Sequence, residues 1–426
     1  MNRSSVLRTD ILAAAGAGAI AQACADAVSA RLVGCGHADT AHPDARTGAG
    51  LLQEWEDFLA ETRQSTRYNG ARRFQARAAA VAAGAKDNWG EPVAALFSDT
   101  GVRALITGAA RARGPWYGAR RLSGLLPPLR CLSIPESGIV LGDQAAALDA
   151  VRRHLGALLD RGAVDRIDIL NVPTDSALHA ALARDLGGRF RVMSNDHVRH
   201  LRQLREPGSG APIQQNSAKT RQSLRRKLRN LSDAFGGAFE FLRFDAPEST
   251  DRFVALAAEV TAHTYQVALN VGVKDDAPTR ALARELAAEG LFRGYVFLGA
   301  GRPIAHVMGD LECGTFRLWA TSFLPEWGRF SPGILLLDRV FDDLTEEGAE
   351  RFDFGHGDAA YKRLLSTGSQ TEADLTLYGP GKAAALAWAV HCVTVRCKSL
   401  LRQAAARWGV LDWLRKAGRG ALRRMG

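Results

Sequence analysis

The chain has six cysteines in 426 residues, Cys24, Cys35, Cys131, Cys313, Cys392 and Cys397, and no two of them form a CxxC pair. That spacing gives a zinc site little support. Cysteines so thinly scattered suit a reducing cytoplasm rather than a disulfide framework. Long hydrophobic runs are also missing. No stretch approaches the roughly 18 apolar residues of a membrane-crossing helix, so none is expected. There is no GxSxG, no P-loop lysine motif and no GxGxxG after a strand, which leaves hydrolase, NTPase and dehydrogenase chemistry unsupported. Acidic residues fall short of basic ones, 45 against 55, for a net charge of +10. That excess favours an anionic partner: a pyrophosphate, a nucleic acid or an acidic membrane surface.

What is present describes a folded chain. Hydrophobic residues make up 46% and charged residues 23%, the balance of a globular protein. A chain of this length exceeds one ordinary core, so two domains are expected. Residues 1–48 read as an Ala-rich leader and a loop. Arg3 and Arg8 precede the Ala-rich run 11–25, but Asp10, Gln22 and Asp26 interrupt it. A frayed helix or disordered leader is therefore expected rather than a secretory signal. His37 and His42 have no cysteine or carboxylate cluster to make a metal site with them.

Residues 49–205 read as a mixed lobe. Leu51, Leu52, Trp55, Phe58 and Leu59 have helical spacing. Strands are expected at 92–98 and 102–108, joined by the hairpin signal at 99–101, and further strands at 129–134 and 138–141. Ala147, Val151, Leu155, Leu158 and Leu159 share one face of a helix over 144–159. A buried strand at 166–171, an N-cap region at 173–176, a helix at 177–186 and a strand at 189–193 complete the lobe. Residues 205–212, rich in Pro and Gly, read as a linker. A helix follows in which Leu224, Leu228 and Leu231 form a stripe among Lys219, Arg221, Arg225, Arg226, Lys227 and Arg229. Then come a strand at 239–244 and helices at 249–264 and 277–289, with Tyr265 between them.

From residue 381 the composition changes. The tail 381–426 holds ten Lys and Arg against one acid, Asp412, interleaved with Trp388, Val393, Leu400, Trp408 and Trp413. A basic helix with Trp and Leu on its other face suits an anionic membrane. The alternative is a helix pair packed on the catalytic lobe, residues 206–380, with a solvated basic face.

The rest of the chain is organised around residues 294–362. Tyr295 and Phe297, then Ile304, His306 and Met308, alternate as in half-buried strands. Gly299, Gly301 and Pro303 supply the turn between them. A third strand is expected at 315–320. A Gly-, Ser- and Pro-containing loop at 327–333 precedes an apolar helix at 334–344. A short strand at 351–354 ends in Gly-His-Gly-Asp-Ala-Ala-Tyr-Lys, residues 355–362. This order resembles the core of a GNAT-type acyltransferase. The segments 301–305, 331–337 and 352–362 resemble the subfamily linked to bacterial cellulose and other exopolysaccharide synthesis, with Fem-type peptidyltransferases as more distant relatives.

The resemblance implies an α/β (α+β) fold of tandem GNAT-like lobes, each a mixed central sheet flanked by helices, plus the basic helical tail. The lobe at 49–205 would carry no cofactor; the lobe at 206–380 would bind acetyl-CoA or another acyl-CoA, and no metal. A helix N-terminus suits a pyrophosphate because its dipole and its unpaired N–H groups both point at the anion. Ser331, Pro332, Gly333 and Ile334 form such a start, and Arg329 adds charge. The family's Arg/Gln-x-x-Gly-x-Gly/Ala pattern is met in part, since Arg329 and Gly333 stand four apart.

Acyl transfer also needs a proton acceptor and a group to protonate the leaving thiolate. His356 and Asp358 lie between glycines after a strand, where loops carry side chains to a cleft edge. Tyr361 is the thiolate's donor by resemblance, and Lys362 a holder of phosphate or substrate anion. His306, Asp310 and Glu312 alternate along one strand and share a face, which with Tyr265 would line an acceptor cleft. The expected activity is acyl transfer to a sugar or precursor of an envelope or extracellular polysaccharide, in the cytoplasm or peripherally at the inner membrane. Two alternatives stand beside it: a Fem-type transferase using aminoacyl-tRNA, which the basic helix at 219–229 permits, and a non-catalytic membrane-associated scaffold.

Overall fold

The computed structural model describes residues 9–13, 31–32, 48–64, 66, 68–82, 90–99, 102–113, 128–143, 145–213, 218–264, 266 and 272–407. The chain divides into two compact units, Met1–Asn195 with Ala373–Gly426, and Asp196–Glu372.

The first unit begins with strands β1 (Thr9–Ala13) and β2 (Arg31–Leu32). The Ala-rich leader is thus extended at its start, where a helix or disorder was expected. β1 pairs antiparallel with a later strand from Thr9↔Phe97 to Ala13↔Val93, and this ladder fixes the Thr-Asp-Ile-Leu-Ala stretch as a strand. Helices α1 (Gly48–Thr62) and α2 (Ala71–Ala82) follow, then strands β3 (Glu91–Asp99), β4 (Val102–Arg113), β5 (Leu129–Ile134) and β6 (Ile139–Leu141). Helix α3 (Ala145–Asp160) lies on the sheet, with Ala147, Val151, Leu155, Leu158 and Leu159 buried as the spacing predicts. Each of the larger side chains contributes roughly 1.5–3 kcal/mol by leaving water. Strand β7 (Arg166–Pro173) leads to Ser176, whose hydroxyl accepts the His179 amide at 3.1 Å and caps α4 (Ala177–Ala180). One π-helical turn, Ala181–Asp185, then precedes the long strand β8 (Arg191–Gln203).

The second unit starts within β8. The expected linker is a closed loop: Glu206 donates to the Ala211 carbonyl at 2.8 Å, and Arg205 bridges to Pro212. Helix α5 (Ala218–Asp233), strand β9 (Phe239–Phe244) and helices α6 (Thr250–Ala262) and α7 (Ala277–Ala288) follow. Three antiparallel strands come next, β10 (Phe292–Gly299), β11 (Arg302–Glu312) and β12 (Thr315–Phe323). A 3-10 turn, Pro325–Phe330, opens onto α8 (Pro332–Glu346), which crosses over to β13 (Arg351–His356). Helix α9 (Ala360–Leu365) and strand β14 (Gly368–Tyr378) close this part, and α10 (Lys382–Arg407) ends the described chain.

Within the second unit the strands run β8-β13-β12-β11-β10-β9. Only the β12–β13 pair is parallel, as the α8 crossover requires. β10 is buried along its whole length and shows how the sheet is covered. Tyr295 and Phe297 join the core beneath α8, while Val296 and Leu298 join the one beneath α6 and α7. In the first unit the order is β2-β1-β3-β4-β5-β7, followed by β14, with β6 on β4. α10 packs there through Ala384, Ala387 and Trp388 against Leu129, Cys131 and Tyr378.

Candidate active site

Among the described residues, the sheet of the second unit opens between β12 and β13. β12 and β13 pair only over Thr315↔Arg351, Phe316↔Phe352 and Arg317↔Asp353. Beyond that point β12 continues to Phe323 and β13 to His356 without pairing each other. A bulge in β12 lies just after the split, where the register shifts between Met308 and Gly309 of the neighbouring strand. Bulges bend a strand and end its pairing. The freed stretch is reached by a side chain: Gln266 Nε2 donates to the Thr321 carbonyl at 3.0 Å.

Between β12 and α8 lies the expected phosphate loop. Ser331 sits in the left-handed region at φ 57° and ψ 49°, an uncommon conformation for a residue with a Cβ. Its carbonyl accepts the amides of Ile334 at 3.0 Å and Leu335 at 3.1 Å. Pro332 has no N–H, and no side chain caps the helix. The Gly333 amide therefore remains for an outside acceptor among the described residues. A Cβ on Gly333 would stand 3.1 Å from the ring of Phe323, itself 40% exposed. Arg329 is exposed and lies over the Phe330 ring at 4.6 Å. Trp327 packs tilted against Phe235, ring centroids 4.2 Å apart, and anchors the loop to the segment just after α5.

The loop after β13 is tied down from both sides. His200 Nε2 meets Asp358 at 3.2 Å, and its Nδ1 meets Ser366 at 3.3 Å. Arg363 also bonds Asp358 and, with His200, holds its carboxyl below the usual carboxylate range. The Lys362 ammonium is buried and donates to the carbonyls of His356 at 2.7 Å and Gly355 at 3.3 Å. Burial lowers its pKa from the ordinary lysine value. Tyr361 is half-buried, edge-on to Phe354. His356 is exposed at the end of β13.

The face of β13 that carries Asp353 holds a buried polar network. Arg199 of β8 bonds Asp353 through Nε and a terminal nitrogen, and Glu372 through its other terminal nitrogen. Gln370 bonds Glu372 as well, at 2.6 Å. His197 stands 3.9 Å from Glu372, and its ring is 5.2 Å from that of His356. The side-chain nitrogens and oxygens of His197, His356 and Glu372 lie within 4.8 Å of one another, a set able to hold a metal ion.

On β11 the expected acceptor-facing residues are enclosed. Asp310 is fully buried and accepts from Trp319 Nε1 and from Arg317 at 3.2 Å. Glu312 lies 3.8 Å from Arg317. His306 is fully buried, and burial lowers its pKa to about 3, so it is neutral. Thr261 gives its hydroxyl proton to the Ala257 carbonyl at 2.9 Å, so it accepts from His306 Nε2 at 3.2 Å. That fixes the Nε2–H tautomer, with Nδ1 lacking a partner among the described residues. Tyr265 lies outside the described residues. His197, Arg199 and Glu372 were absent from the sequence-derived set. The alternation in 371–377 marks a strand, but no local spacing joins those three residues to His356.

Residues 218–363 match the family model of an acetyltransferase (GNAT) domain. The match runs from the start of α5 into α9, and the fold of this segment is GNAT-like: a mixed sheet flanked by helices, with the split and the α8 loop inside it. No curated protein matches the chain. Among solved structures the chain is similar to the C-terminal domain (DUF2156) of a putative lysylphosphatidylglycerol synthetase from Agrobacterium fabrum. That likeness has 16% identity, covers 80% of this chain and 95% of that one, and has a TM-score of 0.47. FemX is similar at 11% identity, with 77% of this chain and 95% of that one covered and a TM-score of 0.49. A GCN5-related N-acetyltransferase from Kribbella flavida has 11% identity, coverage of 79% and 71%, and a TM-score of 0.32.

Proposed function

We propose that the second unit is an acyl-CoA-dependent acyltransferase that binds its donor between β12 and β13. The observation that carries this reading is the split of that strand pair with the uncapped N-terminus of α8 beside it, in a segment matching a GNAT domain. The donor supplies an activated thioester. The Gly333 amide and the helix dipole receive its pyrophosphate, with Ser331, Pro332 and Ile334 shaping the turn and Arg329 adding charge. The acceptor's proton leaves toward the polar group at the end of β13, where His356 and Asp358 stand. Tyr361 returns a proton to the departing thiolate. Lys362 holds the 355–356 backbone in place. The acceptor in this reading is a sugar or precursor of an envelope or extracellular polysaccharide.

An aminoacyl-tRNA donor is the second reading, favoured by α5, which carries Lys219, Arg221, Arg225, Arg226, Lys227 and Arg229 with Asp233 as its one acid. Equilibrium binding separates the two. Saturable binding of acetyl-CoA, with only weak, salt-sensitive binding of charged tRNA, supports the acyl-CoA donor. Tight tRNA binding with none for acetyl-CoA overturns it.

Attachment to an anionic membrane through 381–426 belongs to the same proposal. Leu386, Val393 and Leu400 are 47%, 61% and 63% exposed and stand seven residues apart on α10, which has no acid. No helix of the described residues is long and apolar enough to cross a membrane. A basic helix with an exposed apolar stripe is suited to lying on one.

A further inference from the structure

We infer that His197, His356 and Glu372 form a binding site for a divalent first-row transition-metal ion. The three come from three strands, β8, β13 and β14, and their ligating atoms stand within 4.8 Å of one another. Two imidazoles and one carboxylate suit zinc, cobalt and their neighbours, rather than the all-oxygen shells of calcium or magnesium. Bonds of about 2.0–2.1 Å place tetrahedral ligands about 3.3 Å apart. The set must therefore contract, and His356, the exposed member at the end of β13, is where that movement is expected. His197 is partly exposed and Glu372 is buried, so the site has a fixed floor and an open mouth for the ion and for water.

The surroundings are built as an outer shell. Arg199 and Gln370 bond the Glu372 carboxylate and fix its orientation, which is how outer-shell groups aim a ligand. Two cations oppose a metal ion, and each is answered. The Arg199 guanidinium is matched by Asp353, and the Lys362 ammonium is turned onto the carbonyls of Gly355 and His356. Glu372 thus keeps a charge for the ion. The Oε2 atom, 3.2 Å from Arg199 and 3.9 Å from His197, is the oxygen on the imidazole side. The cation site stands on this geometry and not on acyl transfer. With the ion bound, His356 is a ligand and not a proton acceptor.

The test uses full-length protein stripped with chelator and titrated with Zn²⁺ by calorimetry and with Co²⁺ by visible absorption. One equivalent of each is expected to bind, with Co²⁺ showing d–d bands of a nitrogen-ligated site. His356→Ala, at an exposed position, is expected to keep its melting temperature without metal and to lose at least about tenfold in affinity, since even outer-shell losses cost 10–100-fold. His197→Ala is expected to do the same, and His263→Ala, at an exposed histidine of α6's C-terminus, to change nothing. No saturable uptake, or uptake that His356→Ala leaves intact, overturns the site. Acetyl-CoA binding by the metal-free protein reports on the donor reading separately.

Discussion

Two buried residues show how single side chains set the chemistry of each unit. His154 in α3 is 6% exposed, lies edge-on to Phe97, and has no partner for Nδ1 among the described residues. Burial lowers its pKa from 6.5 to about 4. Its folded pKa lies below the unfolded value, so its contribution to stability is complete above about pH 6.5. That contribution is lost as pH falls toward 4, when the unfolded chain gains a proton the folded one resists. The loss is on the order of 2–3 kcal/mol. His154→Leu is expected to flatten the fall in melting temperature between pH 6.5 and 4, and an unchanged slope would contradict this account. Arg199 is the opposite case, a buried charge that is paired. Replacing it with Met strands Asp353 and Glu372, whose side chains are 4% and 2% exposed. A loss of about 3–5 kcal/mol is expected in urea unfolding; a loss below about 1 kcal/mol would mean the network carries little of the stability.

At the scale of elements, periodicity was legible and long-range pairing was not. β9 and the buried face of α3 follow directly from the spacing of their apolar residues. β14 has the same kind of pattern, with Ala373, Leu375 and Leu377 buried in alternation, yet its place beside β7 depends on the fold. The site divides in the same way. The α8 loop is continuous in sequence and could be found there. Arg199 meets partners 154 and 173 residues away, and no local spacing encodes such distances. β1 went unread because its five residues, Thr9–Ala13, are too few to show a strand period until β3 is there to pair with them. α10 gives a prediction of its own. Its inner face is held by Trp388 and by His391, which meets the Tyr378 hydroxyl at 3.0 Å, so Val393 and Leu400 can be changed without touching that contact. Val393→Glu with Leu400→Glu is expected to abolish co-sedimentation with anionic vesicles while leaving the melting temperature unchanged. Retained binding would assign the apolar stripe to another partner, and a dimer seen by light scattering would name a second copy.

For the whole molecule, the charge balance and the proposed chemistry point the same way. The net charge of +10 suits a phosphate-bearing donor, and ten of the basic residues lie in the tail that is proposed to meet a membrane. The central claim is the donor site at the start of α8. Its most direct test is calorimetric titration of acetyl-CoA into the wild-type protein and into Gly333→Asp. The new side chain has only the exposed Phe323 ring to displace, and a carboxylate at a helix N-terminus favours the helix. The variant should therefore fold, with its melting temperature unchanged, while placing a negative charge where the pyrophosphate belongs. Saturable binding to wild type, lost in the folded variant, is the result predicted. No binding to wild type at millimolar acetyl-CoA, or equal binding to both proteins, would contradict the account.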